Sequence, residues 1–163
     1  MQYSKSTDYA LHALIHLAGA ERRQNVGIKS LSATLGVSES YLSKIMSKLR
    51  QDGIVRAVPG VNGGYELARS ADQITFLEVI QVIEGRQHLF ECSNRESHQH
   101  RMLAEEEDHG HGQSPQDAGR NACLVKQVMD GAERQLNQYL REHTIQSVVD
   151  AAYAAGKFPV HKK

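Results

Sequence analysis

The sequence predicts a mainly α fold with one small β-hairpin, and three stretches carry that prediction. Ser30 to Leu67 reads as a helix, a tight turn, a second helix and then two short strands around a glycine-rich tip. Thr75 to Gly85 reads as a short amphipathic helix. From Cys123 onward, apolar residues recur at every fourth position over a long helix. Within the first stretch, Leu31 and Leu35 lie one helical turn apart and Gly36 supplies the turn. Ser38 has the side chain of an N-cap, and Leu42, Ile45, Met46 and Leu49 form the apolar stripe of the helix that follows. The opposite face carries Ser40, Ser43, Lys44, Ser47 and Lys48, short hydrogen-bonding groups interleaved with cations. Such a helix buries one side and offers the other to a major groove, with lysines on phosphate. The expected architecture is therefore a winged helix-turn-helix plus a long C-terminal dimerisation helix.

Each element follows from its own residues. The first helix begins near Thr7 and buries Tyr9, Ala10, Leu14, Leu17 and Ala18, and a polar break covers residues 19–25. The strands fall near Val55–Val58 and Tyr65–Ala68, joined through Pro59, Gly60, Asn62, Gly63 and Gly64. A wing tip lying along a groove needs close backbone approach and positive φ, which glycines supply. Thr75 caps a helix with Phe76, Leu77, Val79, Ile80 and Ile83 inward. From His88 to Arg120 the periodicity disappears. That segment holds five of the nine histidines, an EEED run and the stretch HGHGQSPQDAG, and reads as a long loop. Leu124, Val128, Ala132, Leu136 and Leu140 then form a stripe that Val125, Met129 and Tyr139 widen. A small domain has little core left to cover it, so pairing with a second copy is its natural use. The expected divisions are a DNA-binding domain over 1–85, a histidine-rich sensor or flexible loop over 86–121, the dimerisation helix and a following helix over 122–150, and a frayed tail over 151–163.

The wing PGVNGGYELA, the opening segment STDYALHALIHLA and the later ITFLEVIQVIEG, in this order, resemble the Rrf-two family of winged helix-turn-helix transcription regulators (IscR/NsrR/CymR-like). The likeness is close over residues 1–92 and looser from Cys123 to about Asp150. It implies a homodimeric regulator, repressor or activator, whose DNA affinity is often set by an iron–sulfur cluster or by cysteine oxidation.

Composition agrees with this once the chain is divided. Lys and Arg number 19, as do Asp and Glu, so the whole is neutral. Through Ser70, however, nine cations face five anions, leaving a basic reading half and an equally acidic remainder. A chain of 163 residues holds one domain with a helical extension. No long apolar run predicts a membrane span, and the first residues lack a signal-peptide pattern. Two cysteines make no secreted disulfide framework, so a reducing cytoplasm is expected. No nucleophile–base pair sits in a recognisable motif, and no phosphate-binding glycine loop leads into a helix. No enzyme is expected.

The expected DNA contacts are Ser38, Ser40, Tyr41, Ser43 and Lys44 at bases or nearby phosphates, Lys29, Lys48 and Arg56 on the backbone, and Asn62 and Gly63 of the wing in the minor groove. The partner is a double-stranded DNA operator with half-sites about one helical turn apart. For the sensor, the resemblance implies three closely spaced cysteines after the helix that ends at Gly85. Cys92 and Cys123 match the first and last, at a longer separation, and the middle one is absent. His98, six residues after Cys92, stands about where it would fall.

Three chemistries remain open. Cys92 and Cys123 could ligate an iron–sulfur cluster, completed by His98 or another histidine and by Asp8 from the partner's first helix. They could instead form a reversible disulfide. Zinc could bind Cys92 with His98, His100, His109 and His111. A further reading keeps both thiols as ordinary buried side chains, with control by a metabolite or a regulatory protein partner and the chain acting partly as an interaction module. Asp8 by itself reads as a first-turn helix residue, and His12 and His16, one turn apart, read as helix-surface packing.

Overall fold

The computed structural model describes residues 2–20, 25–104 and 123–158. The chain forms two compact units, Met1–Arg86 with Tyr139–Lys163, and Gln87–Gln138. In the first unit, α1 (Lys5–Gly19) buries Ala10, Ala13, Leu14 and Leu17, the three- and four-residue spacing of one helical face. Helix α2 (Ile28–Leu35) ends where Gly36 takes φ 66°, the left-handed cap that lets the chain turn at once into the next helix. The Ser38 side chain accepts the Tyr41 N–H and starts α3 (Glu39–Gln51), which buries Leu42, Ile45, Met46 and Leu49. These side chains meet those of α1 together with Leu31, Ile54 and Val55 in one core.

Strands β1 (Val55–Val58) and β2 (Gly64–Leu67) pair antiparallel, with Arg56 opposite Glu66 and Ala57 opposite Tyr65. The second strand begins and ends one residue earlier than the alternation predicts, because its register sets Gly64 opposite Val58 and Leu67 opposite Val55; Tyr65 also pairs with Val26 in an isolated bridge. A Cβ on Gly64 would lie 2.5 Å from the Val26 carbonyl carbon, so the close approach of the two chains demands glycine. Gly64→Ala should therefore displace Val26 and lower stability by about 1–3 kcal/mol, the usual cost of forcing atoms into packed space. A denaturant titration with unchanged slope would check it, and a midpoint equal to the wild type would contradict it.

After a 3-10 turn at Ala71–Gln73, Thr75 accepts the Glu78 N–H at 3.2 Å and opens α4 (Phe76–Glu84), which buries Leu77, Val79, Ile80 and Ile83. The Arg69 guanidinium pairs with the Glu78 carboxylate behind it. At the other end of α4, Glu84 Oε1 accepts from the Ser4 N–H at 2.8 Å, the Ser4 hydroxyl at 2.7 Å and the Thr7 hydroxyl at 2.5 Å. The Thr7 and Ser4 hydroxyls hold the Glu84 carboxyl below its usual 4.5, against a smaller opposing effect of burial, and Lys48 adds attraction. A carboxylate whose pKa falls on folding adds stability above its unfolded pKa and loses that contribution as pH drops through the lowered folded value. Acidification below about pH 4.5 should thus lower the melting temperature of the wild type more than that of Glu84→Gln. Parallel melting curves for the two proteins across pH 3 to 6 would contradict this.

The C-terminal helix α7 (Ile145–Ala154) joins the same unit. The Phe76 N–H donates to the His143 carbonyl and the Ile145 N–H to the Ile74 carbonyl, both at 2.9 Å. Ile145 and Val149 are buried, and α7 packs along α1. The sequence reading places a frayed tail from residue 151. Instead α7 runs through Ala154, and the Phe158 ring lies on Gly19, with its centroid 5.3 Å from that of Tyr153. The ring and Gly19 are in ordinary van der Waals reach, a pairing across the chain that periodicity cannot reveal.

Among its described residues, the second unit holds two helices. Helix α5 (His98–Leu103) lies inside the segment read as a loop; Ser97 caps it by accepting the His100 N–H at 3.0 Å. Helix α6 (Leu124–Glu142) starts directly after Cys123 and continues past the unit's boundary at Gln138. None of its 19 residues is buried, and Leu124, Val125, Val128, Met129 and Tyr139 are exposed. No helix among the described residues is long and apolar enough to cross a membrane.

Candidate nucleic-acid interface and metal centre

Helical spacing sets the outward arc of α3. With Leu42, Ile45, Met46 and Leu49 turned into the core, Ser40, Ser43, Lys44 and Ser47 fall on the other side. Ser40 and Lys44 are exposed, and Ser43 and Ser47 are half-buried at its margins. Lys44 has no ion-pair partner among the described residues, which leaves its ammonium for an outside anion. Lys29 is exposed at the start of α2. The structure therefore gathers Lys29, Ser40, Ser43 and Lys44 as accessible or marginal polar groups.

The other expected contacts already have partners inside the protein. Ser38 serves as the N-cap of α3, with its hydroxyl 3.4 Å from that of Ser40. Tyr41 turns toward α1: its hydroxyl lies 2.8 Å from the Ser6 hydroxyl, and its ring meets Tyr9 edge-on with centroids 5.9 Å apart. Lys48 donates to the Ile83 carbonyl at 3.2 Å. In the wing, Arg56 Nε donates to Glu66 Oε1 at 2.6 Å across the strand pair, which aims the guanidinium outward with its terminal nitrogens left over. Asn62 is exposed at the tip. Gly63 has a backbone reason to be glycine, since a Cβ there would lie 2.4 Å from the Val58 carbonyl oxygen. Val61 beside them is wholly exposed. A single valine in a glycine-rich turn reads as filler, and the sequence held no signal to single it out.

The second unit brings together two thiols and one imidazole. Cys123 is only 2% exposed, and Cys92 and His100 are half-buried. Cys92 Sγ lies 3.2 Å from His100 Nδ1, and the ligand atoms of all three residues lie within 4.8 Å of one another. Phe90, Leu103 and Val125 line the apolar part of the pocket around them. His98, expected as the middle donor, is exposed and outside this group. The cause is α5 itself: residues two apart on a helix point to nearly opposite sides, so the face that gives His100 to the cysteines turns His98 away. His109 and His111 of the zinc reading lie outside the described residues. The cysteines are free thiols, close enough that a modest movement would reach disulfide geometry.

This donor set can be tested against the iron–sulfur group that the resemblance implies. Each iron of a two-iron cluster takes two protein ligands, and mixed thiolate and imidazole ligation is established chemistry. Two thiols held this close fit a single iron of such a cluster, whereas a four-iron cube takes one ligand at each separate corner. Two more donors are then required. Asp8 and His12, one turn apart on α1, form an exposed pair with His12 Nδ1 3.1 Å from Asp8 Oδ1 and side chains 67% and 62% accessible. The sequence reading of His12 as helix-surface packing left out Asp8, which the four-residue helical spacing sets beside it.

Comparison with known proteins now bears on this arrangement. A family model described as "Rrf2: Iron-dependent Transcriptional regulator" matches residues 3–151. The HTH-type transcriptional regulator NsrR of Shouchella clausii is 27% identical over 149 residues, covering 91% of this chain and 89% of that protein. Among solved structures, IscR of T. potens has a TM-score of 0.68 at 24% identity, covering 95% of this chain and 90% of that one. CymR, the global cysteine regulator of B. subtilis, has a TM-score of 0.64 at 24% identity, covering 93% and 98%. These structures share the winged-helix fold, and the family model spans nearly the whole chain. The protein thus belongs to the Rrf2 family, whose members are transcription regulators acting on DNA and not enzymes.

Proposed function

We propose that this regulator works as a homodimer whose affinity for an operator is set by the iron or redox state of a centre built on Cys92, Cys123 and His100. The observation that carries this reading is the convergence of two thiols and an imidazole within 4.8 Å in a chain with only two cysteines. An iron–sulfur cluster held there would supply a reversible one-electron or assembly signal. Cys92, Cys123 and His100 would hold the group from this chain, with any remaining ligand from the first helix of the partner subunit, which carries Asp8 and His12. The same thiol proximity supports a second reading, in which oxidation joins Cys92 to Cys123 directly.

Reading of the operator falls to Ser40, Ser43 and Lys44 of α3 in the major groove, with Lys29 and Arg56 on phosphate and Val61, Asn62 and Gly63 of the wing nearby. Ser38, Tyr41 and Lys48 keep the helix in place and reach DNA only at its edges. DNA fragments selected from a random pool by the protein would supply the operator. Lys44→Ala should then weaken binding and reduce the salt dependence by about one phosphate contact, while Lys48→Ala should change the slope less. Equal slopes for wild type and Lys44→Ala would remove Lys44 from the interface.

A further inference from the structure

We propose that Glu84 is a positioning residue that couples the reading helix to the sensor through a polar clasp joining α1, α3 and α4. Three observations bear on this. Glu84 Oε1 gathers the Ser4 N–H, the Ser4 hydroxyl and the Thr7 hydroxyl, fastening the start of α1 to the end of α4. One residue earlier, the Ile83 carbonyl accepts from Lys48 of α3. Two turns back on α3, the Tyr41 hydroxyl bonds the Ser6 hydroxyl. Tyr41 and Lys48 are seven residues apart and share one edge of α3, so that edge is gripped at both ends by polar contacts.

The position of the clasp in the chain gives it a signal to carry. Glu84 is followed by Gly85 at φ 87°, and Cys92 is eight residues beyond Glu84. Thr7 is followed immediately by Asp8, the partner-facing donor of the proposed function. A change at either point pulls on a residue of the clasp. Thr7 is buried while the Ser4 bonds are exposed, so part of the clasp is open to water and can exchange partners. Apolar packing fixes the buried face of α3, and its edge at Tyr41 and Lys48 is held by these hydrogen bonds together with the Tyr41 ring against Tyr9. This inference rests on the proposed function for its signal and adds the route by which the signal reaches α3.

The test measures operator affinity for the protein with its centre filled and after removal of the metal, in the wild type, in Glu84→Ala, which deletes the shared acceptor, and in Thr7→Val. Iron content per chain and mass in solution are recorded for each. A residue that only stabilised the fold would shift both affinities by the same factor. The clasp predicts that each variant keeps its iron and its oligomeric state, yet its ratio of the two affinities falls at least about threefold toward one. The double variant should do no more than Glu84→Ala alone, because that substitution already removes the acceptor of the Thr7 hydroxyl. Tyr41→Phe, which deletes only the far hydroxyl, serves as an independent variant if Glu84→Ala folds poorly. Variant ratios equal to that of the wild type would overturn the clasp and leave the proposed function standing. A wild-type ratio of one would overturn the proposed function and the clasp together.

Discussion

Val128→Glu should convert the protein to a monomer and abolish tight operator binding. Val128 is 72% exposed in the middle of an apolar stripe on α6, between Leu124 and Val125 on one side and Met129 on the other. An isolated helix face of this kind is stable only when covered. A pairing of two identical helices about a two-fold axis would place two glutamates in the seam for each substitution made. Burying an unpaired carboxylate costs several kcal/mol, so the dimer constant should weaken by at least about 100-fold, close to 2.8 kcal/mol. Operator affinity would fall with it, because two heads on one dimer bind half-sites together and single heads do not. Sedimentation at micromolar concentration would show the change, with circular dichroism confirming the helices. A dimer of wild-type stability would mean that α6 is not the seam.

Cys123→Ser should empty the centre. The side chain is buried at the start of α6, where the Gln127 N–H donates to its carbonyl at 3.0 Å and holds the residue in the first turn. Serine fits the space but offers an un-ionised hydroxyl where the site needs a soft thiolate. Metal affinity should fall by more than the about 10- to 100-fold typical of losing an outer partner. His100→Ala should cost iron too, whereas His98→Ala should not, since the two imidazoles lie on opposite sides of α5. Iron analysis of the four proteins side by side makes the comparison. Full iron in Cys123→Ser, or equal losses from His98→Ala and His100→Ala, would contradict the assignment.

These two results would probe opposite ends of what the amino-acid pattern could disclose. The stripe of α6, the Ser38 and Thr75 caps and the glycine-rich wing are local features with a fixed period or a fixed offset, and they stand in the structure where the pattern placed them. The bridge of Val26 to Tyr65 and the seat of Phe158 on Gly19 join residues far apart in sequence, and no local rule predicts them. The centre falls between these cases. Both cysteines were visible by their type and place. The histidine beside them depended on whether residues 98–103 form a helix, and six polar or mixed residues carry too weak a period to announce one. In the reading helix, periodicity separated the buried face from the outward one. It could not show that Tyr41 and Lys48, at the edge of that face, spend their polar atoms on Ser6 and Ile83.

In the proposed function, the state of the centre sets the affinity for DNA. The most direct measurement takes one preparation made without oxygen, titrates it with labelled operator DNA, removes the metal with a chelator and titrates it again, with iron and sulfide measured at each stage. Iron is expected in the first state and none in the second, with operator affinities that differ by about tenfold or more. A metal-free protein from the outset, or one affinity shared by both states, would contradict it.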